Sequence, residues 1–162
     1  MKMMKFMAMM IAAVTMTFGF TSCGDDDDDP VIHAAEQMAG TYSGELSISV
    51  MGSESIDAAT MVVTKVTDGT VSLTIPAAGS GAMSLPSLTV TNIPVTTEQV
   101  SSVDLVKGTL ASASGTITVD GAEKSYSFTD ITLIKNGTNI IITYTLQYGK
   151  MPMAMTCSFT GK

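Results

Sequence analysis

The sequence predicts an all-β fold, an antiparallel up-and-down barrel of about eight strands in which each strand pairs with the next. Apolar and polar residues alternate with a period of two through most of the chain after Gly40, which is typical of strands that bury one face. Asp-Gly and Asn-Gly dipeptides separate these runs, and such pairs favour hairpin turns because they tolerate positive φ. No part of this region carries an apolar stripe at helical spacing over several turns. The same pattern also allows a β-sandwich, which stays open as the alternative fold.

Alternating runs predict the strands in chain order. The clear runs lie at residues 42–50, 71–75, 88–90, 117–119, 126–133, 140–148 and 151–159, with less regular ones at 56–66 and 103–110. The parity of the apolar positions changes after Phe128, so a β-bulge is expected at Thr129 or Asp130. Closing the barrel requires the strand at Leu46 to pair with the strand at Met155, which removes the exposed edges of the sheet.

Turns and longer connections separate these strands. Tight turns are expected at Asp68-Gly69, Asp120-Gly121, Asn136-Gly137 and Gly149-Lys150. Residues 76–86 place Ala, Gly and Ser between two prolines, which indicates a longer loop. One short helical turn is expected within residues 93–103. Thr97, Glu98 and Gln99 lie near its start.

The amino terminus has the features of a cleaved leader. A basic start and an uncharged apolar stretch at residues 6–20 form a segment too short for a lasting transmembrane helix. The small residues Thr21 and Ser22 then precede Cys23. This arrangement resembles the bacterial lipobox, with Phe20 in place of the usual leucine. The resemblance implies cleavage before Cys23 and covalent lipid on its sulfur, and two or three acyl chains are enough for stable membrane anchoring.

An acidic run follows the cysteine almost directly. Its members are Asp25, Asp26, Asp27, Asp28 and Asp29. Five like charges stay hydrated and extended, so the run serves at least as a solvated spacer. A cysteine followed by such a run also resembles the export signal of surface lipoproteins in Bacteroidota-type bacteria, which implies the outer face of the outer membrane. The expected organisation is a signal peptide at 1–22, a lipidated acidic tether at 23–38 and one barrel domain at 39–162.

Composition excludes several function classes. The formal net charge is −7 and the chain contains no arginine, which argues against a nucleic-acid partner because phosphates require clustered cations. With Cys23 consumed by lipid, Cys157 stands alone in an alternating row and is expected to be a small buried hydrophobe. His33 is the only histidine and lies in the predicted tether, so neither a metal site nor a catalytic site is expected. Glu45, Asp57 and Asp130 are separated carboxylates on predicted polar faces, where solvation is favoured over catalysis, so an enzyme that uses carboxylates alone is the third and least favoured hypothesis.

The two ends of the predicted domain resemble a known family. Residues 40–46, Gly-Thr-Tyr-Ser-Gly-Glu-Leu, and residues 156–162, Thr-Cys-Ser-Phe-Thr-Gly-Lys, are similar to the calycin-like domain of bacterial surface lipoproteins. These domains are relatives of the lipocalin and fatty-acid-binding barrels. Tyr42 stands where the lipocalin Gly-x-Trp motif has tryptophan. The resemblance implies an eight-stranded barrel that in some members holds a small apolar ligand, and it establishes no activity.

The tyrosines and methionines supply candidate ligand contacts. An eight-stranded barrel either fills with side chains or holds one small ligand, so the same residues could line a cavity or form the core. The candidates predicted to point inward are Tyr42, Tyr126, Phe128, Tyr144, Tyr148, Met151, Met153 and Met155. The expected function is a lipid-anchored surface protein that binds a small hydrophobic or amphipathic molecule, or a short glycan, without a cofactor. The alternative is an accessory subunit of a surface protein assembly with no ligand cavity.

Overall fold

Each strand pairs with its neighbour in sequence, and the last strand pairs with the first. The structure is a computed structural model and describes residues 32–81 and 84–162. Its elements are α1 Ala34–Met38, β1 Gly40–Val50, β2 Ser53–Thr67, β3 Thr70–Ile75, β4 Leu88–Val100, β5 Val103–Val119, β6 Ala122–Asn136, β7 Asn139–Tyr148 and β8 Met155–Gly161. The predicted closed barrel is confirmed, and the sandwich is excluded. The predicted leader, Cys23 and the acidic run lie outside the described residues.

The seam between β1 and β8 closes the sheet. Leu46 lies opposite Phe159 in this ladder, so the pairing required for closure is present. Gly44 lies opposite Gly161 at the end of the same ladder. A Cβ atom on Gly44 would lie 2.6 Å from the Gly161 Cα and would also overlap the carbonyl oxygen of Thr160. The two strands therefore approach this closely because glycine occupies the position.

A short helix closes one end of the barrel, which is called the helix end below. Ala35 and Met38 of α1 are fully buried, and the Met38 carbonyl accepts a 2.6 Å hydrogen bond from Tyr42 Oη. The Lys135 ammonium donates to the carbonyl of Gln37 on the same helix. Residues 34–38, which the sequence analysis places in the tether, form α1 here, and Ala35 and Met38 add their side chains to the core.

The hairpin turns contain residues with positive φ, and some of these residues are not glycine. Asp120 and Gly121 have φ of 51° and 75°, as expected for the predicted Asp-Gly turn. Ser101 and Ser102 adopt φ of 50° and 66° and connect β4 to β5. The predicted helical turn at 93–103 is wrong, because this segment continues β4 and its ladder with β5 runs to Val100 and Val103.

The structure defines three of the predicted connections more closely. In the turn predicted at Asn136-Gly137, Asn136 pairs with Asn139, so the loop consists of Gly137 and Thr138. The predicted loop after β3 is present, and a single bridge between Ala78 and Leu85 tightens it. Strand β8 begins at Met155 instead of residue 151. Pro152 explains this difference, since proline has no N–H to donate to a ladder.

The predicted β-bulge in β6 is confirmed. The β6–β7 register shifts between Thr129 and Thr132, and Asp130 has a φ of 54°. The extra residue allows Phe128 and Ile131 both to point into the core, where both are buried.

The end opposite α1 is built from loops and is called the loop end. The turn at Met51 and Gly52, the loop at 76–87, the turn at Asp120 and Gly121, and the connection at 149–154 all lie there, because the up-and-down order alternates turns between the two ends. No helix in residues 32–81 and 84–162 has the length and apolar character needed to cross a membrane.

Candidate functional site

The structure separates the eight candidate ligand contacts into three groups. Tyr42, Phe128, Tyr144 and Met155 are buried members of the core. Tyr126, Tyr148 and Met151 lie at the loop end, where β6 and β7 leave the barrel. The inward placement predicted for Met153 is wrong, because it lies in the irregular connection before β8 and is 38% exposed.

The deeper candidates serve the packing of the barrel. Tyr42 holds the helix end through its bond to Met38, and Lys135 Nζ lies 5.3 Å from the centroid of its ring. Tyr144 contacts Cys157, and burial raises the pKa of the Tyr144 hydroxyl. Burial also raises the pKa of the Cys157 thiol to about 11, so this cysteine is protonated near neutral pH. The prediction of a small buried hydrophobe at Cys157 is confirmed.

A row of three aromatic rings leads from the loop end into the core. The Tyr126 and Phe128 ring centroids lie 5.7 Å apart, and those of Phe128 and Tyr144 lie 5.6 Å apart. Both pairs are edge-to-face, the geometry that the ring quadrupoles favour. Phe128 is therefore packed between two aromatic rings.

The position of Tyr126 depends on Gly115, which lies opposite it on β5. Gly115 pairs with Tyr126, and a Cβ atom on Gly115 would lie 2.6 Å from Tyr126 Oη. The tyrosine ring therefore covers the glycine backbone directly. Because Gly115 lacks a side chain, the tyrosine ring can approach the backbone of β5 this closely.

The loop end holds a pocket of about 650 Å³, called the mouth pocket below. Its lining residues are Ser84, Ala122, Glu123, Lys124, Ser125, Tyr148, Gly149, Lys150 and Met151. The pocket forms because β6 extends past the end of β7. The Gly149 N–H donates a 2.7 Å hydrogen bond to the Ser125 carbonyl at the last paired position, after which the chain turns away. The volume falls in the range of small-molecule sites.

Two polar groups in the mouth pocket distinguish it from ordinary core. Tyr148 is only 4% exposed, yet its hydroxyl has no hydrogen-bond partner among residues 32–81 and 84–162. Leaving a buried hydroxyl unpaired costs about 1–3 kcal/mol. Lys124 Nζ lies 5.6 Å from the centroid of the Tyr148 ring, within cation–π distance. The ammonium of Lys124 therefore lies over the ring of Tyr148, while the tyrosine hydroxyl itself is buried.

Sequence reasoning missed Lys124 as a site residue. The signal was available, because Lys124 has the same parity in β6 as Tyr126 and Phe128 and therefore shares their inner face. Alternation marks aromatic and sulfur-containing side chains as apolar ligand contacts, and a lysine does not fit that pattern.

The carboxylates do not form a catalytic constellation. Glu45, Asp57 and Asp130 are all exposed and lie on different strands or, for Asp130, in the bulge of β6. Within the part of the chain that the structure describes, no three His, Cys, Asp or Glu side chains come together as a metal site would require. The chemistry that the mouth pocket offers is hydrogen bonding, charge and apolar contact.

Eight up-and-down strands, closed from β1 to β8 and covered by a short helix at one end, define a lipocalin-type barrel. The family model of the calycin-like beta-barrel domain matches residues 38–162, and the chain belongs to that family.

A solved structure from Bacteroides fragilis, described as a "putative outer membrane protein", is similar to this chain with a TM-score of 0.59 and 25% sequence identity. The match covers 81% of this chain and 53% of that protein, so this chain spans about half of its length. No curated protein sequence matches the chain.

Proposed function

We propose that this chain is a lipid-anchored outer-membrane protein whose barrel binds a small hydrophobic or amphipathic molecule in the mouth pocket, without catalysis. The observation that carries the binding function is the mouth pocket itself. It opens at the loop end and combines the side chains of Tyr148 and Met151 with the cations of Lys124 and Lys150. Small-molecule sites commonly combine an apolar surface with a few polar groups in this way.

The proposed location rests on two independent observations. The leader ends in two small residues before Cys23, and the acidic run follows directly, as in exported lipoproteins. The similar Bacteroides fragilis structure carries a description as an outer membrane protein. The proposed orientation, towards the exterior, depends on the acidic run alone.

Replacing Cys23 with alanine is expected to move the protein from the membrane fraction to the soluble fraction, because the lipid is the only anchor proposed. Replacing Asp25 to Asp29 with asparagine is expected to leave the protein anchored but hidden from protease added to intact cells. Fractionation followed by protease shaving checks both results. If protease cleaves the asparagine variant as readily as the parent, the acidic run is not the export signal.

Ligand capture tests the binding function. Native mass spectrometry of the released Cys23→Ala protein, purified from a Bacteroidota host, is expected to show a small molecule bound one to one. Ala122→Trp, which fills the mouth pocket, is expected to remove that mass, whereas Thr41→Trp on the exposed face of β1 retains it. If neither variant differs from the parent, the ligand does not occupy the mouth pocket. If only a protein partner co-purifies, the chain is an accessory subunit instead.

A further inference from the structure

Strand β2 continues past the end of β3 at the loop end and leaves one of its edges open. The β2–β3 ladder begins at Val62, whereas the β1–β2 ladder extends to Ser53. Among the described residues, the segment 53–60 therefore has β1 on one side and no strand on the other. This segment is called the open edge below. An open edge is a template on which another extended segment can pair.

The hairpin geometry determines which backbone groups face outward from the open edge. Met51 and Gly52 form a two-residue turn with φ of 52° and 83°, so Val50 and Ser53 on either side of it form a hydrogen-bonded pair. Bonded and non-bonded pairs alternate along an antiparallel ladder. The residues whose N–H and C=O groups therefore point away from β1 are Glu54, Ile56, Ala58 and Thr60. No turn or loop bond between described residues reaches these groups.

The space next to the open edge is accessible. A pocket of about 310 Å³ is lined by Asp57, Ala58 and Ala59 on the barrel side and by residues 77–80 of the loop. Residues 53–58 are all exposed, and the side chain of Ile56 is 60% exposed although it is large and apolar. A further strand would lie about 4.8 Å from β2, the usual spacing in a sheet.

The charge of the hairpin indicates which segment fits. Residues 40–63 contain Glu45, Glu54 and Asp57 but no lysine, arginine or histidine. Neither Glu54 nor Asp57 forms an ion pair with a described residue. Pairing with a second copy would place these carboxylates in one ladder, where like charges destabilise the sheet. The open edge therefore disfavours its own copy and favours a segment with positive charges.

The geometry points to a strand-addition site, in which an extended basic segment of a partner protein pairs antiparallel with residues 53–60. Lysine or arginine of that segment lies opposite Glu54 and Asp57, and an apolar residue lies opposite Ile56. In strand addition the backbone bonds supply affinity and the side chains supply specificity. The antiparallel direction continues the β2–β3 ladder, and antiparallel pairing is the more stable one. The site shares no residue with the lining of the mouth pocket and goes beyond the proposed function.

A synthetic peptide with this pattern tests the inference. The probe is the acetylated and amidated peptide Thr-Thr-Val-Lys-Val-Thr-Lys-Thr, which places its lysines opposite Asp57 and Glu54 when it pairs with residues 53–60. Its binding to the full chain in phosphatidylcholine nanodiscs is measured by fluorescence anisotropy, with empty nanodiscs subtracted. The same peptide with glutamate in place of both lysines is expected to bind at least about tenfold more weakly.

Methylation of the peptide backbone tests whether the probe binds as a strand. N-methylation of the two valines removes N–H groups that face β2 and is expected to weaken binding about tenfold. N-methylation of the first lysine and of the threonine before the second lysine removes N–H groups that face away from β2. This control peptide has the same composition and is expected to retain binding.

A backbone variant of the protein places the site on the open edge. Ala58→Pro removes an N–H group that faces outward, and proline is tolerated at such a position of an edge strand. It is expected to weaken binding of the peptide about tenfold, while Ala58→Val retains it. Both variants keep every charge of the chain, so attraction of the basic peptide to the acidic run at residues 25–29 cannot produce the difference.

Charge variants test the proposed specificity. Glu54→Gln combined with Asp57→Asn is expected to weaken binding of the basic peptide about fivefold. The matched control, Asp120→Asn combined with Glu123→Gln, removes the same charges from the β5–β6 hairpin and should leave binding unchanged.

The other outcomes overturn the inference. If the basic peptide does not bind, or if both methylated peptides bind as well as the parent, the open edge does not accept a strand. If Ala58→Pro binds the peptide as tightly as Ala58→Val, the peptide pairs elsewhere and the assignment to β2 is wrong. If the chains in one nanodisc cross-link to each other through the open edge and exclude the peptide, the occupant is a second copy, and a basic partner segment is wrong.

Discussion

Replacing Gly44 with alanine is expected to lower the free energy of unfolding by about 3 kcal/mol, at the upper end of the range for overpacked sites. The added Cβ would overlap the backbone of β8, at the Thr160 carbonyl and at 2.6 Å from the Gly161 Cα. A side chain can rotate away from a clash, but two paired backbones can separate only by breaking their hydrogen bonds. The reciprocal bonds between Ser43 and Lys162, 3.1 Å and 3.2 Å long, lie directly beside the clash.

The matched control for this change is Gly69→Ala. Gly69 lies in the turn between β2 and β3, and a Cβ atom there would meet nothing within 4 Å. Its substitution is expected to change stability by no more than about 0.5 kcal/mol, as at ordinary surface positions. Urea titrations followed by circular dichroism compare the two variants. If the two substitutions lower the free energy of unfolding by the same amount, the β1–β8 seam does not hold the barrel closed.

Much of this barrel could be predicted because its strands obey a simple local rule. In β7 and β8 the alternation of apolar and polar residues agrees with the observed burial at almost every position, since one face meets the core and the other meets water. The bulge at Asp130 was also readable, because a change of parity within one strand has few other causes. The up-and-down order of the hairpins favoured a closed barrel but left the β-sandwich open, and the ladder between β1 and β8 decides between them.

Other features depend on contacts distant in sequence. Helix α1 has only five residues and no independent stability, so its helical form depends on the burial of Ala35 and Met38 against the barrel. The turn at Ser101 and Ser102 lacks the glycine that usually marks positive φ, and the ladder of β4 and β5 imposes it instead. The mouth pocket was unpredictable for a related reason. Its shape depends on the unequal lengths of β6 and β7, which alternation alone does not fix.

Replacing Phe128 with alanine is expected to cost about 3–5 kcal/mol, the range for removing a buried aromatic side chain. Phe128 is 0% exposed and packs edge-to-face against both Tyr126 and Tyr144. Each such contact adds about 0.5–1.5 kcal/mol beyond the area it buries. Since domains of this kind are stable by about 5–15 kcal/mol, the variant should unfold at a much lower urea concentration.

Phe128→Leu and Ile141→Ala are the controls for this prediction. Leucine keeps much of the volume and should recover a large part of the loss, while Ile141 lies on the outer face of β7 with 46% exposure and should cost far less. The same variants decide between the two interpretations that the sequence left open. In a hollow barrel, shortening Phe128 would enlarge an existing cavity at small cost. In a packed barrel it removes the contacts with Tyr126 and Tyr144 and leaves a cavity, so the full cost is expected.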